Sequence, residues 1–128
     1  MQHPRMFADD DPVLARVRHI ALGLPEAAEK VSHGRPAFFT RKVFAYYGGS
    51  ERVDGEWVQH PHAVMLLGDL DVQSALRAMP GAWVPAYLGP YGWTGLDLGP
   101  VTDWDEVADL VRESYRFTAP SRLAALLD

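Results

Sequence analysis

Apolar residues recur at helical spacing in several segments of the chain, and capping residues mark where these segments begin and end. Asp11 is a suitable N-cap and Pro12 suits a first helical turn; Val13–Ala21 then carries an apolar stripe. Gly23 and Pro25 end this predicted first helix. The same reasoning predicts three further helices, which are Gly68–Met79 before Pro80-Gly81, Trp104–Phe117 after a Thr102 or Asp103 cap, and Pro120–Leu127.

The period changes from helical to alternating after Val31, following an exposed connection over Leu24–Lys30. The aromatic-rich run Arg35–Tyr47 predicts a β-hairpin that turns near Thr40–Lys42. The polar stretch from Ser50 to His60 is either a long loop or an irregular strand around Trp57. The remaining segments are a buried strand over Ala63–Leu67, an irregular loop over Ala82–Tyr91 and a final strand over Trp93–Leu98.

The predicted order is helix, three or four strands, helix, strand and two helices. Successive strands joined by short turns form an antiparallel sheet, so the predicted class is α+β, with helices packed on that sheet. A chain of 128 residues with 48% hydrophobic and 23% charged residues is typical of a single globular domain, which we assign to residues 1–128.

Charge is distributed unevenly along the chain. The formal net charge is -5, which excludes a protein covered by basic groups, as a generic nucleic-acid binder would be. Residues 30–52 nevertheless carry +4, because Lys30, Arg35, Arg41, Lys42 and Arg52 face only Glu51 in that segment. A local basic patch on the hairpin therefore remains compatible with a contact to phosphates.

Residue types with catalytic or metal-binding chemistry are sparse. The chain has no Cys, and His60 and His62 alone are too few ligands for a zinc site. Ser32 and His33 are strand neighbours that point in opposite directions, and Gly48-Gly49-Ser50 lacks the rest of a phosphate loop. We expect no catalytic residue, metal or cofactor, and we rank an enzyme activity last among the possible functions.

Aromatic residues cluster in and after the loop over Ala82–Tyr91. Trp83, Tyr87, Tyr91 and Trp93 offer stacking faces that could line a ligand pocket. Such a pocket needs polar groups that converge on it, and the candidates are His33, Arg35 and Asp97.

Several short motifs, in this order and spacing, resemble those of the MmcQ/YjbR-like family. They are Leu22–Ala27, Lys42–Ala45, Pro80-Gly81, Pro85–Tyr87, Gly89-Pro90-x-Gly92-Trp93, Trp93–Leu98 and Ser114-Tyr115. The resemblance spans nearly the whole chain, from about Val13 to Leu123, and implies a compact α+β fold of the CyaY-like type, also described as a double-wing arrangement. It further implies a DNA-binding role, although Leu67-Gly68 and Pro90-Tyr91-Gly92 stand where many relatives carry basic residues.

Two binding functions follow from these observations. The first is a DNA-binding module in which Arg35, Arg41, Lys42 and Arg52 contact phosphates, provided that they converge into one patch. The alternative is a domain that binds a small ligand or a protein through the aromatic pocket. Neither a secretory signal, a lipidation motif nor a membrane-spanning run is visible, so we expect a cytoplasmic protein without a membrane partner; the oligomeric state stays open.

Overall fold

The computed structural model describes residues 4–127, which form four α-helices and six strands. The α-helices are α1 (Pro12–Leu22), α2 (Leu70–Arg77), α3 (Trp104–Thr118) and α4 (Ser121–Ala124). The strands are β1 (Ala28–Ser32), β2 (Arg35–Phe39), β3 (Val43–Val53), β4 (Glu56–Leu67), β5 (Ala82–Trp83) and β6 (Trp93–Asp97). Short 3-10 turns cover Gly89–Tyr91 and Ala125–Leu127.

The six strands form one antiparallel sheet in the order β1-β2-β3-β4-β6-β5. This confirms the predicted α+β class and the helix boundaries near Asp11 and Asp103, whose side chains accept hydrogen bonds from the first-turn amides. The hairpin turn at Thr40–Lys42 also lies where the sequence predicts it.

Three segments differ from the sequence prediction. The segment Leu24–Lys30 is not simply an exposed connection, because Leu24 is buried in the core and β1 begins at Ala28 and pairs with β2. The stretch around Trp57 is neither a long loop nor a single irregular strand; it forms the paired ends of β3 and β4, which turn at Asp54-Gly55 with φ of 51° and 81°. The loop over Ala82–Tyr91 begins with the short strand β5 and ends in a 3-10 turn.

The helices cover one face of the sheet and bury the main core there. The ring of Phe44 in β3 meets that of Tyr115 in α3 edge to face, with centroids 5.3 Å apart. Beside them Ser114 Oγ donates to the Phe44 carbonyl at 2.5 Å and accepts from the Leu67 amide at 3.0 Å. These contacts join α3 to the centre of the sheet.

The opposite face of the sheet carries a smaller apolar cluster of Ala63, Met65, Trp83 and Trp93. Chain segment 84–92, rather than a helix, lies over this face. Since that segment is short, part of the face is left uncovered, and the candidate site lies there. Among the described residues, no helix is both long and apolar enough to cross a membrane.

Candidate functional site

A cavity of about 630 Å³ lies on the sheet face that carries no helix. Tyr46, Gly49 and Ser50 of β3 and Met65 of β4 form its floor. Its roof is the segment 85–88, from Pro85 to Leu88. We call this cavity the loop pocket.

The roof of the loop pocket is bonded directly to its floor. The Ala86 amide donates to the Ser50 carbonyl at 3.0 Å. The next residue, Tyr87, has a φ of 65°, which is uncommon for a bulky side chain and is tolerated where surrounding contacts impose it. Its ring lies 6.0 Å from that of Trp57, also a lining residue, at an interplanar angle of 46°.

A side chain from α2 fixes the far end of the same loop. The Arg77 guanidinium donates to the carbonyls of Gly89 and Trp93 at 3.0 and 3.1 Å and to Thr94 Oγ1 at 3.1 Å. Segment 85–92 is therefore held at both ends, which gives the pocket a defined shape before any ligand arrives.

Arg35 is the charged group of the pocket wall and is only 7% exposed. Its Nη2 donates to Gln59 Oε1 at 2.6 Å, and no carboxylate of residues 4–127 forms an ion pair with it. Gly48 makes room for the guanidinium, since a Cβ there would lie 2.4 Å from Nη1. Burial lowers the pKa of Arg35, because removal from water disfavours the charged guanidinium.

The four cations predicted to contact phosphates do not converge into one patch. Arg35 is in the pocket wall, whereas Arg41 and Lys42 are exposed in the β2–β3 turn, roughly 20 Å farther along the strand direction. Arg52 is near the tip of the β3–β4 hairpin, with its guanidinium 4.6 Å from the Trp57 ring centroid.

The four predicted pocket aromatics occupy different environments. Tyr87 lines the loop pocket, whereas Tyr91 is exposed outside its wall. The buried Trp83 ring stacks on His60, with centroids 4.0 Å apart, and its other side is against Gly95. Trp93 is buried against Tyr46, with centroids 5.1 Å apart. Both tryptophans therefore belong to the cluster beneath the loop rather than to the pocket wall.

Two of the three predicted polar groups reach the pocket. His33 and Arg35 line it, whereas Asp97 accepts from Trp83 Nε1 at 3.0 Å and lies 2.8 Å from His60 Nδ1. Sequence reasoning missed Trp57 and Gln59, which the β3–β4 hairpin brings to the wall. The Asp54-Gly55 dipeptide, a strong signal for a two-residue hairpin turn, could have located them.

The two neighbouring histidines contact different partners. His60 Nε2 is 2.9 Å from Glu51 and its Nδ1 faces Asp97, whereas His62 Nδ1 is 3.0 Å from Asp11. Within residues 4–127, no group of three or more His, Cys, Asp or Glu side chains is arranged to hold a metal ion.

A family model and a solved structure both match this chain. The family model described as YjbR matches residues 22–117. A crystal structure of a Deinococcus radiodurans protein with a DUF419 domain is similar, at a TM-score of 0.56 and 19% identity, over 91% of this chain and 81% of that chain. At that identity the likeness concerns the fold alone. Among curated proteins, none matches this chain.

Proposed function

The chain belongs to the YjbR family, and we propose that this member is a binding domain whose loop pocket accepts a small organic molecule. The observation that carries the proposal is the pocket itself, which combines a preformed shape, an apolar lining and one buried cation. Ligand sites in proteins have this character: a cleft of about 300–1,000 Å³, mostly apolar, with a few fixed polar groups.

The apolar part of the lining is suited to a flat or branched hydrocarbon group. Met65, Leu88 and Pro85 contribute aliphatic surface, and Trp57 and Tyr87 contribute two rings at the open side. An apolar group that enters this space removes both its own surface and these side chains from water, which favours binding by about 25 cal/mol per Å² before the cost of association.

We expect Tyr87→Ala to weaken binding of a neutral apolar probe to the loop pocket about fivefold, because a lost aromatic contact is worth about 1 kcal/mol. The measurement is the fluorescence titration of N-phenylnaphthylamine. Tyr91→Ala is the matched control: the two tyrosines are 78% and 79% exposed in the same loop, but only Tyr87 lines the pocket. Equal affinity of the two variants, or no binding by the unmodified protein, would contradict the proposal.

The four predicted cations do not form one phosphate-binding patch, so our second proposal, DNA binding, is restricted to the pair Arg41 and Lys42. Both are exposed, adjacent in the β2–β3 turn and outside every ion pair found among the described residues. If they contact phosphates, duplex or single-stranded DNA is retarded in a low-salt mobility-shift assay, and the double change Arg41→Ala with Lys42→Ala lowers the log–log salt slope by about 1.5–2. Absence of any shift at low salt would remove this proposal and leave the first one intact.

A further inference from the structure

We infer that the ligand of the loop pocket is an organic anion whose carboxylate or phosphate group binds Arg35. The inference rests on the proposed function, since it names the class of molecule that the same pocket selects. It adds a requirement that an apolar cavity alone does not impose, namely a negative charge at one end of the ligand.

The charge of Arg35 lacks a counter-charge among the described residues. A guanidinium has five N–H donors and stays protonated in proteins, and Gln59, a neutral acceptor, is its one side-chain partner among residues 4–127. Taking a charge out of water without a counter-charge is costly. An anion supplied from solution would offset that cost with paired hydrogen bonds of the kind that guanidinium groups make to carboxylates and phosphates.

Two other arginines of this chain differ from Arg35 in having carboxylate partners. Arg18 is bonded to both Asp9 and Glu29, and Arg122 is bonded to Glu26, although both arginines are more exposed than Arg35. These two arginines have carboxylate partners although water already stabilises their charges better than that of Arg35. Arg35, the most buried arginine, has no carboxylate partner within residues 4–127, and it lines the loop pocket.

The aromatic side of the pocket indicates what the rest of the ligand would be. Trp57 and Tyr87 place two partly exposed rings at the open side of the pocket, their centroids 6.0 Å apart, while Arg35 lies in its wall. A ligand with an anionic group at one end and a planar or apolar body can contact both kinds of surface.

The test compares two fluorescent probes of nearly the same shape, neutral N-phenylnaphthylamine and anilinonaphthalene sulfonate, which adds one negative charge. We expect the unmodified protein to bind the anionic probe at least about tenfold more tightly, as for a hydrogen bond to a charged group. Arg35→Gln should abolish this preference and leave affinity for the neutral probe within about twofold. Lys42→Gln, the control with the same charge change in a distant turn, should preserve the preference.

Competition identifies the anionic group. Naphthoate and naphthyl phosphate are added separately to the complex with the sulfonate probe, and the one that displaces it at the lower concentration has the preferred headgroup. Displacement by neither, equal binding of the two probes by the unmodified protein, or a preference that survives in Arg35→Gln would overturn the anion inference. Binding of the neutral probe in those cases still supports the pocket, whereas failure of every probe overturns the proposed function as well.

If Arg35→Gln does not fold, Arg35→Lys is the second variant. It keeps the charge but loses the planar fork, so we expect it to lower the preference for the anionic probe only partly. A preference that is unchanged in Arg35→Lys would overturn the assignment of the guanidinium as the group that binds the anion through paired hydrogen bonds.

Discussion

Gly95→Ala is expected to lower the free energy of unfolding by about 3 kcal/mol, at the upper end of the usual cost of overpacking a core. A Cβ at Gly95 would lie 2.2 to 2.5 Å from three atoms of the Trp83 ring, closer than real Cβ atoms approach a neighbour. The ring cannot move away easily, because His60 stacks on it with an interplanar angle of 8°. Either β6 or Trp83 must therefore shift.

Gly99→Ala is the matched control for this prediction. A Cβ at Gly99 meets no atom within 4 Å, so the same chemical change should alter stability by no more than about 0.5 kcal/mol. Urea denaturation of both variants measures the difference. Because Trp83 supports the loop that roofs the pocket, Gly95→Ala should also weaken probe binding, and a stability equal to that of Gly99→Ala would show that the ring is not confined as described.

The helices and the central strand could be predicted from the sequence because their signals are local. Asp11 and Asp103 cap helices whose apolar residues repeat at helical spacing, and Ala63–Leu67 is an unbroken apolar run. A cap and a periodic stripe are encoded within one element, so their interpretation needs no knowledge of the neighbours.

The long β3–β4 hairpin was missed because its tip extends beyond both apolar clusters. Residues 52–59 are all exposed, so no alternation of buried and exposed positions marks them as strand. Strand β1 likewise has no buried residue along its five positions, as expected for an edge strand. In both cases pairing and turn geometry, at His33-Gly34 and Asp54-Gly55, define the strands instead of burial.

The residues of the candidate site could be predicted only in part, for a related reason. Nothing in the local sequence distinguishes the buried Arg35 from the exposed Arg41, because burial of Arg35 depends on Gly48 and Gln59 from β3 and β4. Nor can aromatic content separate Tyr87, which lines the pocket, from Trp83, whose faces are covered by His60 and Gly95. Charge and residue type indicate candidates, whereas tertiary packing decides which of them a ligand can reach.

The buried pair Tyr47 and Asp11 gives the fold a pH dependence that a single variant can expose. Tyr47 Oη donates to Asp11 Oδ2 at 2.5 Å, and Asp11 also accepts from the amides of Val13 and Leu14 at the start of α1. Burial and this hydrogen bond raise the pKa of the Tyr47 phenol well above its usual value. Burial opposes ionisation of Asp11, but its hydrogen bonds prevail and lower the pKa of that carboxyl.

We expect Tyr47→Phe to cost about 2 kcal/mol at pH 7, the worth of a hydrogen bond to a charged group. Above pH 10 the unfolded tyrosine ionises while the folded phenol keeps its proton, so the unmodified protein loses about 1.4 kcal/mol of additional stability per pH unit. Phenylalanine has no such proton, and the stability difference between the two proteins should vanish near pH 11.5. It should also shrink in acid, because the contribution of Asp11 is present above about pH 4 and is lost as pH falls through its lowered pKa.

Urea denaturation of both proteins from about pH 2 to 11.5 measures this difference, and titrations common to the two chains, such as that of Tyr115, cancel in it. Tyr91→Phe, a change in an exposed ring, controls for loss of a phenol at pH 7 and should alter stability by less than about 0.5 kcal/mol. A difference that stays constant across the alkaline range would mean that the Tyr47 phenol ionises as readily in the folded protein as in the unfolded chain. In that case the hydrogen bond to Asp11 would not keep the Tyr47 phenol protonated, and apolar packing alone would hold α1 against β3.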